Sequence, residues 1–177
     1  MSQRTIILIV VVWALGILSL LGFASVNQIK PFDPSMLLAQ AASNPQFDND
    51  FAEALGQAGV TPGTLVHMVS SGNCYCDKLT EPHRQELSGE LANEGYQLQR
   101  LSLAEHPALT KFVDHYPALA VVDNAGQLRY LGPYAVGYGC FTGTNLVSQI
   151  KQAATSAEYY GASINSDVKG CFCAVYQ

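Results

Sequence analysis

The sequence has few charged side chains, and few of those are basic. Only 13% of its 177 residues are charged, and nine Lys and Arg face fourteen Asp and Glu, for a formal net charge of −5. Without a basic patch or an Arg-rich run, a nucleic-acid partner would have to bind against an unfavourable field. At 49% hydrophobic residues, the composition is also not that of a disordered chain. Nucleic-acid binding and intrinsic disorder are therefore excluded.

The apolar residues are concentrated near the N-terminus. Residues 6–24 form an apolar run broken by a single serine, and Arg4 is the one charged side chain before it. This length approaches that of a helix that crosses a bilayer. A cleaved secretory signal is the alternative, because Gly22 and Ala24 offer small residues for a peptidase. The length of the run and Trp13 within it favour a retained anchor, with the N-terminus in the cytosol by the positive-inside rule.

The remaining 153 residues have the size of one exported domain with short extensions. Proline-containing sequence after the apolar run predicts a spacer, and a polar tail follows the last predicted helix. We therefore divide the chain into a cytosolic N-terminus at 1–5, a transmembrane anchor at 6–24, a linker at 25–45, a domain at 46–160 and a Cys-containing tail at 161–177.

Hydrophobic periodicity predicts the order α-β-α-β-α-β-β-α within the domain. A β-α-β unit followed by a β-hairpin and a closing helix implies a mixed sheet with helices on both faces, an α/β fold. The predicted helices run from 47 to a stop at Gly59, from the cysteine pair through 79–93 with Pro82 in the interior, over 107–114 and over 145–160. The predicted strands cover 64–69, 96–103, 118–123 and 127–130.

The sequence also lacks an even number of cysteines. All five cysteines lie in the exported part of the chain, where disulfides are permitted. They are Cys74, Cys76, Cys140, Cys171 and Cys173. Because an odd count cannot all pair within one chain, at least one thiol is free, bound to a metal or bonded to a partner. Two pairs have the spacing C-x-C.

Cys74 and Cys76 follow a predicted strand and begin a predicted helix. Backbone N–H groups at a helix start favour a thiolate, which makes a cysteine a nucleophile. We expect Cys74 to be the exposed sulfur and Cys76 to face inward. A disulfide between them would close a very small ring, depart from relaxed geometry and be easily reduced.

These residues resemble the thioredoxin-like superfamily, with a resemblance that covers roughly residues 47–160. The matching features are a strand leading into a cysteine pair at a helix start, Pro82 eight residues after Cys74, and Tyr116-Pro117 before an apolar strand. The resemblance implies a thioredoxin-like fold with a cis bond at Pro117. It also implies that substrates bind beside the active-site sulfur at Tyr116 and Pro117. With the anchor, the chain resembles membrane-anchored periplasmic thioredoxin-like proteins of Gram-negative bacteria.

Three departures from that family change the expected chemistry. The usual C-x-x-C is C-x-C here, Asn73 replaces the tryptophan before the first cysteine, and Met68 replaces a buried acid. Since that acid accepts a proton from the resolving cysteine, an ordinary dithiol-reductase role is in doubt.

The resulting hypothesis is a membrane-tethered periplasmic thiol–disulfide oxidoreductase or isomerase that acts on protein disulfides or a redox partner protein. Cys74 and Cys76 are its candidate catalytic residues, and no cofactor or metal is expected. Cys140 is either a resolving thiol or bridged to Cys171 or Cys173, and that tail pair either folds back to Cys74 or staples the C-terminus. The alternatives are a module that handles copper or zinc through its C-x-C pairs, and a non-catalytic interaction module with structural cysteines.

Overall fold

The apolar run near the N-terminus forms the first helix, α1 (Gln3–Val26), in a computed structural model that describes residues 2–26, 29–70, 72–137 and 146–176. Within it, Gln3–Phe23 is long and apolar enough to cross a membrane, and none of it is buried against the rest of the chain. Trp13 is 67% exposed. The helix begins three residues before the predicted segment 6–24 and ends two residues after it.

Six further α-helices lie in the described part of the chain after α1. In α3, Phe47, Phe51 and Leu55 recur every four residues and are all buried, as expected for one apolar helix face. Short 3₁₀ turns lie at Ala92–Glu94 and Leu103–Glu105. The six helices are α2 (Leu37–Ala42), α3 (Phe47–Gln57), α4 (Tyr75–Leu79), α5 (Glu81–Leu91), α6 (Pro107–Thr110) and α7 (Val147–Thr155).

Five strands form the central mixed sheet, in the order β3-β2-β5-β6-β7. The β2–β3 and β6–β7 pairs are parallel, whereas β2–β5 and β5–β6 are antiparallel. Two small two-stranded sheets, β1-β8 and β4-β9, lie beside it. The strands are β1 (Lys30–Pro31), β2 (Thr64–Val69), β3 (Gln97–Ser102), β4 (His115–Tyr116), β5 (Ala118–Val122), β6 (Leu128–Gly132), β7 (Ser163–Ile164), β8 (Lys169–Gly170) and β9 (Cys173–Ala174).

The central sheet is covered on both faces by apolar side chains. Alternate residues of β2 point to opposite sides, so Leu65 joins one buried cluster while Val66 and Met68 join the other. All six residues of β2 and all five of β5 are buried. The predicted α/β architecture, a mixed sheet flanked by helices, is therefore confirmed at this level.

The C-terminal tail is built into the fold. Its first strand, β7, extends the central sheet beside β6, and β8 pairs with β1 in the segment predicted as a linker. Phe32 from that segment is 2% exposed, and its ring lies 5.1 Å from the ring of Phe172 in the tail. The linker and tail therefore contact each other through an aromatic pair and are part of the folded unit.

Pro82 interrupts the helix that was predicted through 79–93. The structure has two helices there, α4 and α5, with Pro82 in the first turn of α5. A proline is tolerated in the first turn because its missing N–H would lack an intrahelical acceptor in any case. The expectation of one helix with an interior Pro82 was wrong, and α4 is only five residues long.

Candidate functional site

Two disulfides join the two C-x-C motifs to each other. Cys74 is bonded to Cys173, and Cys76 is bonded to Cys171. We call Cys74-Tyr75-Cys76 the helix-start motif and Cys171-Phe172-Cys173 the tail motif. Two antiparallel segments are thus cross-linked side by side. A small ring between Cys74 and Cys76 does not form. Of the two alternatives left open for the tail pair, the one in which it folds back to Cys74 is confirmed.

The helix-start motif lies where β2 turns into α4, as the sequence predicts. Cys74 is the N-cap residue of α4 and Cys76 lies in its first turn. Both are buried, with Cys74 6% and Cys76 7% exposed. The expectation that Cys74 would be the exposed sulfur was wrong, because the tail motif covers it.

The tail motif lies as an extended segment along the neighbouring strand. In the β4-β9 pair, Cys173 is opposite Tyr116 and Ala174 is opposite His115. The Val175 N–H donates to the Asp114 carbonyl at 2.8 Å, which continues the ladder. The tail therefore occupies the side of Tyr116 where the sequence predicts substrate binding.

Tyr116 and Pro117 lie on different sides of the paired motifs. The peptide bond between them is cis, which confirms the expected isomer. The Tyr116 side chain lines a groove of about 290 Å³ together with Ser70, Cys74 and Cys173. Burial, with a smaller contribution from Asp77, raises the pKa of the Tyr116 hydroxyl. The Cys74–Cys173 disulfide therefore borders a groove that contains polar groups.

A second, much smaller cavity borders the other disulfide. This pocket of about 30 Å³ is lined by Cys76 and Cys171 with mainly apolar neighbours. His83 also lines it, and its Nε2 is buried without a hydrogen-bond partner among the described residues. The other lining residues include Leu79, Pro117, Pro133, Tyr134 and Phe172. The Cys76–Cys171 disulfide thus borders a small, mainly apolar pocket, with Cys76 buried and Cys171 partly buried.

A buried hydrogen-bond network supports the helix-start motif from below. His67, in the middle of β2, is 1% exposed. Its Nε2 lies 2.9 Å from the Asp77 carboxylate and its Nδ1 lies 3.1 Å from the Tyr134 hydroxyl. Arg100 on β3 donates to the second Asp77 oxygen at 2.8 Å. Because Asp77 follows Cys76 directly, this network fixes the start of α4 relative to the sheet.

The network also determines how its histidine titrates. Burial lowers the pKa of His67, and the neighbouring Asp77 carboxylate only partly opposes that shift. Burial raises the pKa of the Tyr134 hydroxyl. Sequence reasoning assigned no role to His67. The available signal was a histidine inside a buried strand together with an acid just after the cysteine pair.

Cys140 lies outside the described residues, so its predicted role as a resolving thiol stays a prediction. A bridge from Cys140 to Cys171 or Cys173 does not occur, because both tail sulfurs are bonded to the helix-start motif. The Sγ atoms of Cys74, Cys76 and Cys173 lie within 4.8 Å of one another. In the disulfide form these sulfurs are not thiolate ligands.

Comparison with known proteins adds a family but no activity. A family model described as a domain of unknown function (DUF6436) matches residues 40–175. The match includes both C-x-C motifs and the segment that contains Tyr116 and Pro117. No curated protein and no solved structure matches the chain.

Proposed function

This chain belongs to the family described as a domain of unknown function, DUF6436, and we propose that it is a membrane-tethered thiol–disulfide oxidoreductase or isomerase acting on protein disulfides. One observation carries the proposal: the helix-start motif is bonded to the tail motif through two adjacent disulfides. A thiolate formed at one of these cysteines can attack the neighbouring disulfide without a large movement, since the sulfurs of Cys74, Cys76 and Cys173 lie within 4.8 Å of one another.

Exchange begins at the disulfide that borders the groove. Cys173 is half-buried, whereas Cys74 is buried, so an incoming thiolate reaches the Cys173 sulfur first. The substrate thiolate forms a bond to Cys173 Sγ, the Cys74–Cys173 bond breaks, and Cys74 leaves as a thiolate with the electron pair. A second substrate thiolate then attacks the mixed disulfide and releases Cys173. The substrate is oxidised by two electrons and the bridge is reduced by two.

The reverse direction uses the same atoms. In the reduced form, a thiolate at Cys173 attacks a substrate disulfide, and Cys74 resolves the mixed disulfide by re-forming the Cys74–Cys173 bond. If the freed substrate thiolate instead attacks another disulfide of the same substrate, the thiolate released from that disulfide attacks the mixed disulfide and frees the Cys173 thiolate, and the net reaction is isomerisation. Cys74 and Cys173 are therefore the proposed reacting residues, while Cys76 and Cys171 form the second disulfide, beside the apolar pocket.

The fold is compatible with a thioredoxin-like arrangement, which we include in the proposal. The strand β2 leads into the cysteine pair, and the bond before Pro117 is cis. In this arrangement the tail motif lies where a substrate segment binds beside Tyr116. The tail then occupies the position that a cysteine-containing substrate peptide would take.

We propose that the domain lies in the periplasm, with α1 in the inner membrane and the N-terminus in the cytosol. Structural disulfides persist in oxidising compartments, and the two disulfides agree with export. A phosphatase that is active only after export, fused after residue 45, should be active in cells. An inactive fusion, with the protein present in the membrane, would place the domain on the cytosolic side.

Trapping of mixed disulfides tests the exchange itself. All variants carry Cys140→Ser, so that the fifth thiol does not contribute. In the full chain, Cys74→Ser frees Cys173 beside the groove and should accumulate a mixed disulfide with a scrambled, disulfide-containing test protein. The matched variant, Cys76→Ser, frees Cys171 beside the pocket and should trap at least tenfold less.

The identity of the trapped cysteine completes this experiment, and peptide mass spectrometry identifies it. The proposal predicts substrate bonded to Cys173 in the Cys74→Ser variant. It also predicts that the reduced protein, with Cys74 present, reduces disulfides of the scrambled protein, and that the Cys74→Ser variant stops at the mixed disulfide because the resolving thiol is missing. Equal trapping by the two variants, or full reduction of the scrambled protein without Cys74, would refute the assignment.

A further inference from the structure

We propose that the reduced form of this protein binds one soft d¹⁰ metal ion, Zn(II) or Cu(I), through the four cysteines of its two C-x-C motifs. The inference goes beyond thiol–disulfide exchange, because it assigns a ligand to the state in which both disulfides are open. It rests on the placement of the four sulfurs and does not require exchange with a protein substrate.

Three of the four sulfur positions are close to those of a tetrahedral thiolate site. Zinc–sulfur bonds are about 2.3 Å, so the sulfurs of a tetrahedral site lie about 3.8 Å apart. The sulfurs of Cys74, Cys76 and Cys173 lie within 4.8 Å of one another. Cys171 Sγ is bonded to Cys76 Sγ but lies outside that group, so it must move towards Cys74 and Cys173 once the bonded pairs separate. The bridged Cα atoms, 6.2 Å and 5.3 Å apart, keep the two motifs close enough to share one ion.

A dithiol reductant supplies the electrons that reduce both disulfides and free the four thiols. Two equivalents of a dithiol deliver four electrons, which break both S–S bonds and produce four thiols. Metal binding then releases the thiol protons and forms metal–sulfur bonds, with no change in the oxidation state of the metal. The oxidised protein holds two disulfides and the reduced protein holds the ion, so the two states exclude each other.

Contacts that do not involve sulfur hold the tail in place when the disulfides open. Phe172, between the two tail cysteines, is 4% exposed and packs edge-on against Phe32. The β4-β9 and β8-β1 pairings flank it on either side, and Val175 is 8% exposed. The two motifs therefore remain opposite each other in the reduced state. This preorganisation favours ligands from both segments on one ion.

The ligand set selects the class of metal. Among the described residues, the cluster contains only cysteine sulfur, and thiolates select Cu(I) and Zn(II) over the oxygen-preferring Mg²⁺ and Ca²⁺. Cys74 and Cys76 are buried, and apolar side chains such as Phe172 line the pocket beside Cys76 and Cys171. Four protein ligands in such surroundings correspond to a closed site that holds its ion, without an open position for a water molecule.

Metal titration of the reduced full chain tests the proposal. The protein carries Cys140→Ser, is solubilised in detergent, is reduced with a phosphine and is freed of reductant without oxygen. One equivalent of Zn(II) should bind and protect all four remaining thiols from alkylation. Co(II) in its place should give the intense visible bands of a tetrahedral, sulfur-rich site. A parallel titration with Cu(I) shows which ion the site prefers.

Variants separate a four-cysteine site from simpler binding. Cys171→Ser and Cys173→Ser should each weaken Zn(II) binding at least a hundredfold. Far-ultraviolet circular dichroism before titration shows whether the variants are folded. Protection of only two thiols by the ion, in otherwise folded reduced protein, would overturn the proposal, as would the absence of stoichiometric binding of either metal.

The oxidised protein is the internal control, and it should bind no stoichiometric zinc. This test is independent of the exchange assay because a chemical reductant opens the disulfides. Failure to trap a protein substrate leaves the expected metal binding unchanged. Conversely, a reduced chain that exchanges with substrate but binds neither ion refutes only the metal site.

Discussion

The two disulfides of this protein connect the same two segments but lie in unlike surroundings. Cys74–Cys173 borders the groove of about 290 Å³ with Ser70 and Tyr116. Cys76–Cys171 borders the pocket of about 30 Å³, which is mainly apolar. A reacting thiol needs space and a polar approach. The larger, more polar space beside Cys74–Cys173 favours this bridge as the first to exchange, whereas the small apolar pocket disfavours attack at Cys76–Cys171.

The central residues of the two motifs show the same contrast. Phe172 in the tail motif is 4% exposed, whereas Tyr75 in the helix-start motif is 62% exposed. The tail is thus anchored by its middle residue, while the helix-start motif presents its middle residue to the surroundings. The site therefore already binds one extended segment of its own chain that contains cysteine and an aromatic residue.

Removal of both bridges should have the largest effect on stability. Cys74–Cys173 and Cys76–Cys171 span 99 and 95 residues. A loop of about 100 residues corresponds to about 4.7 kcal/mol of unfolding free energy in the chain-entropy model. With either bridge closed, the other closes only a small additional ring. Replacement of all four cysteines by alanine should therefore lower the free energy of unfolding by about 6–9 kcal/mol, of which about 4–5 kcal/mol is the shared loop entropy and the rest is packing lost at the two bridges.

Loss of one bridge alone should cost much less, by the same reasoning. The Cys74→Ala/Cys173→Ala and Cys76→Ala/Cys171→Ala pairs should each lower the free energy of unfolding by about 1–2 kcal/mol, mainly through lost packing. Urea unfolding followed by circular dichroism measures both. If each single loss costs as much as half of the joint loss or more, the two bridges do not share one loop entropy.

Loss of the Phe172 ring should reduce the difference between the two disulfides. Phe172→Ala removes the contact with Phe32 and enlarges the pocket, so the free energy of unfolding should fall by about 3 kcal/mol. Reduction of Cys76–Cys171 should accelerate severalfold. The matched control is Tyr75→Ala, which should change stability by less than about 0.5 kcal/mol. Unchanged reduction of Cys76–Cys171 in Phe172→Ala would show that Phe172 does not shield it.

The smallest effect concerns the His67 network beneath the helix-start motif. Because burial lowers the pKa of His67 below 6.5, the unfolded chain takes up this proton first as the pH falls. The stability due to neutral His67 is therefore complete above about pH 6.5 and is lost as the pH falls towards the lower folded pKa.

The variant His67→Gln should remove this pH dependence. The wild-type free energy of unfolding should fall between pH 7.5 and pH 5.5 by at most about 1.4 kcal/mol more per pH unit than that of His67→Gln. Urea unfolding at several pH values measures the difference. A steeper dependence in the variant than in the wild type would contradict the assignment, because it would require a raised pKa for His67.

Local sequence signals predicted most of the central fold. The apolar run of β2 fixed a strand at Thr64–Val69, and the structure has the same bounds. The strand at Ala118–Val122 and the helix beginning at Phe47 also follow the predicted segments closely. These elements have strong periodicity or continuous apolar runs. The break at Pro82 was mispredicted because proline at a helix start and proline inside a helix look alike in sequence.

The long-range part of the site was beyond local sequence reasoning. Spacing places Cys74 and Cys76 at a strand–helix junction, but it cannot reveal that Cys171 and Cys173 lie opposite them. That contact depends on Phe32 and Phe172 meeting across the fold and on β9 pairing with β4. The same long-range packing buries Cys74 and thereby reverses its predicted exposure. Local sequence patterns likewise did not predict the hydrogen-bond partners of His67, since Tyr134 is 67 residues away in sequence.

Time-resolved partial reduction tests both the pairing of the four cysteines and the proposal that Cys74–Cys173 reacts before Cys76–Cys171. The full chain is treated with a limiting phosphine, free thiols are alkylated at intervals, and mass spectrometry identifies the labelled cysteines. The account predicts that Cys74 and Cys173 are labelled together, at least tenfold faster than Cys76 and Cys171. Labelling of Cys74 with Cys76, or of Cys171 with Cys173, would show disulfides within each motif and contradict it. Earlier labelling of Cys76 and Cys171 would contradict the proposed order of exchange.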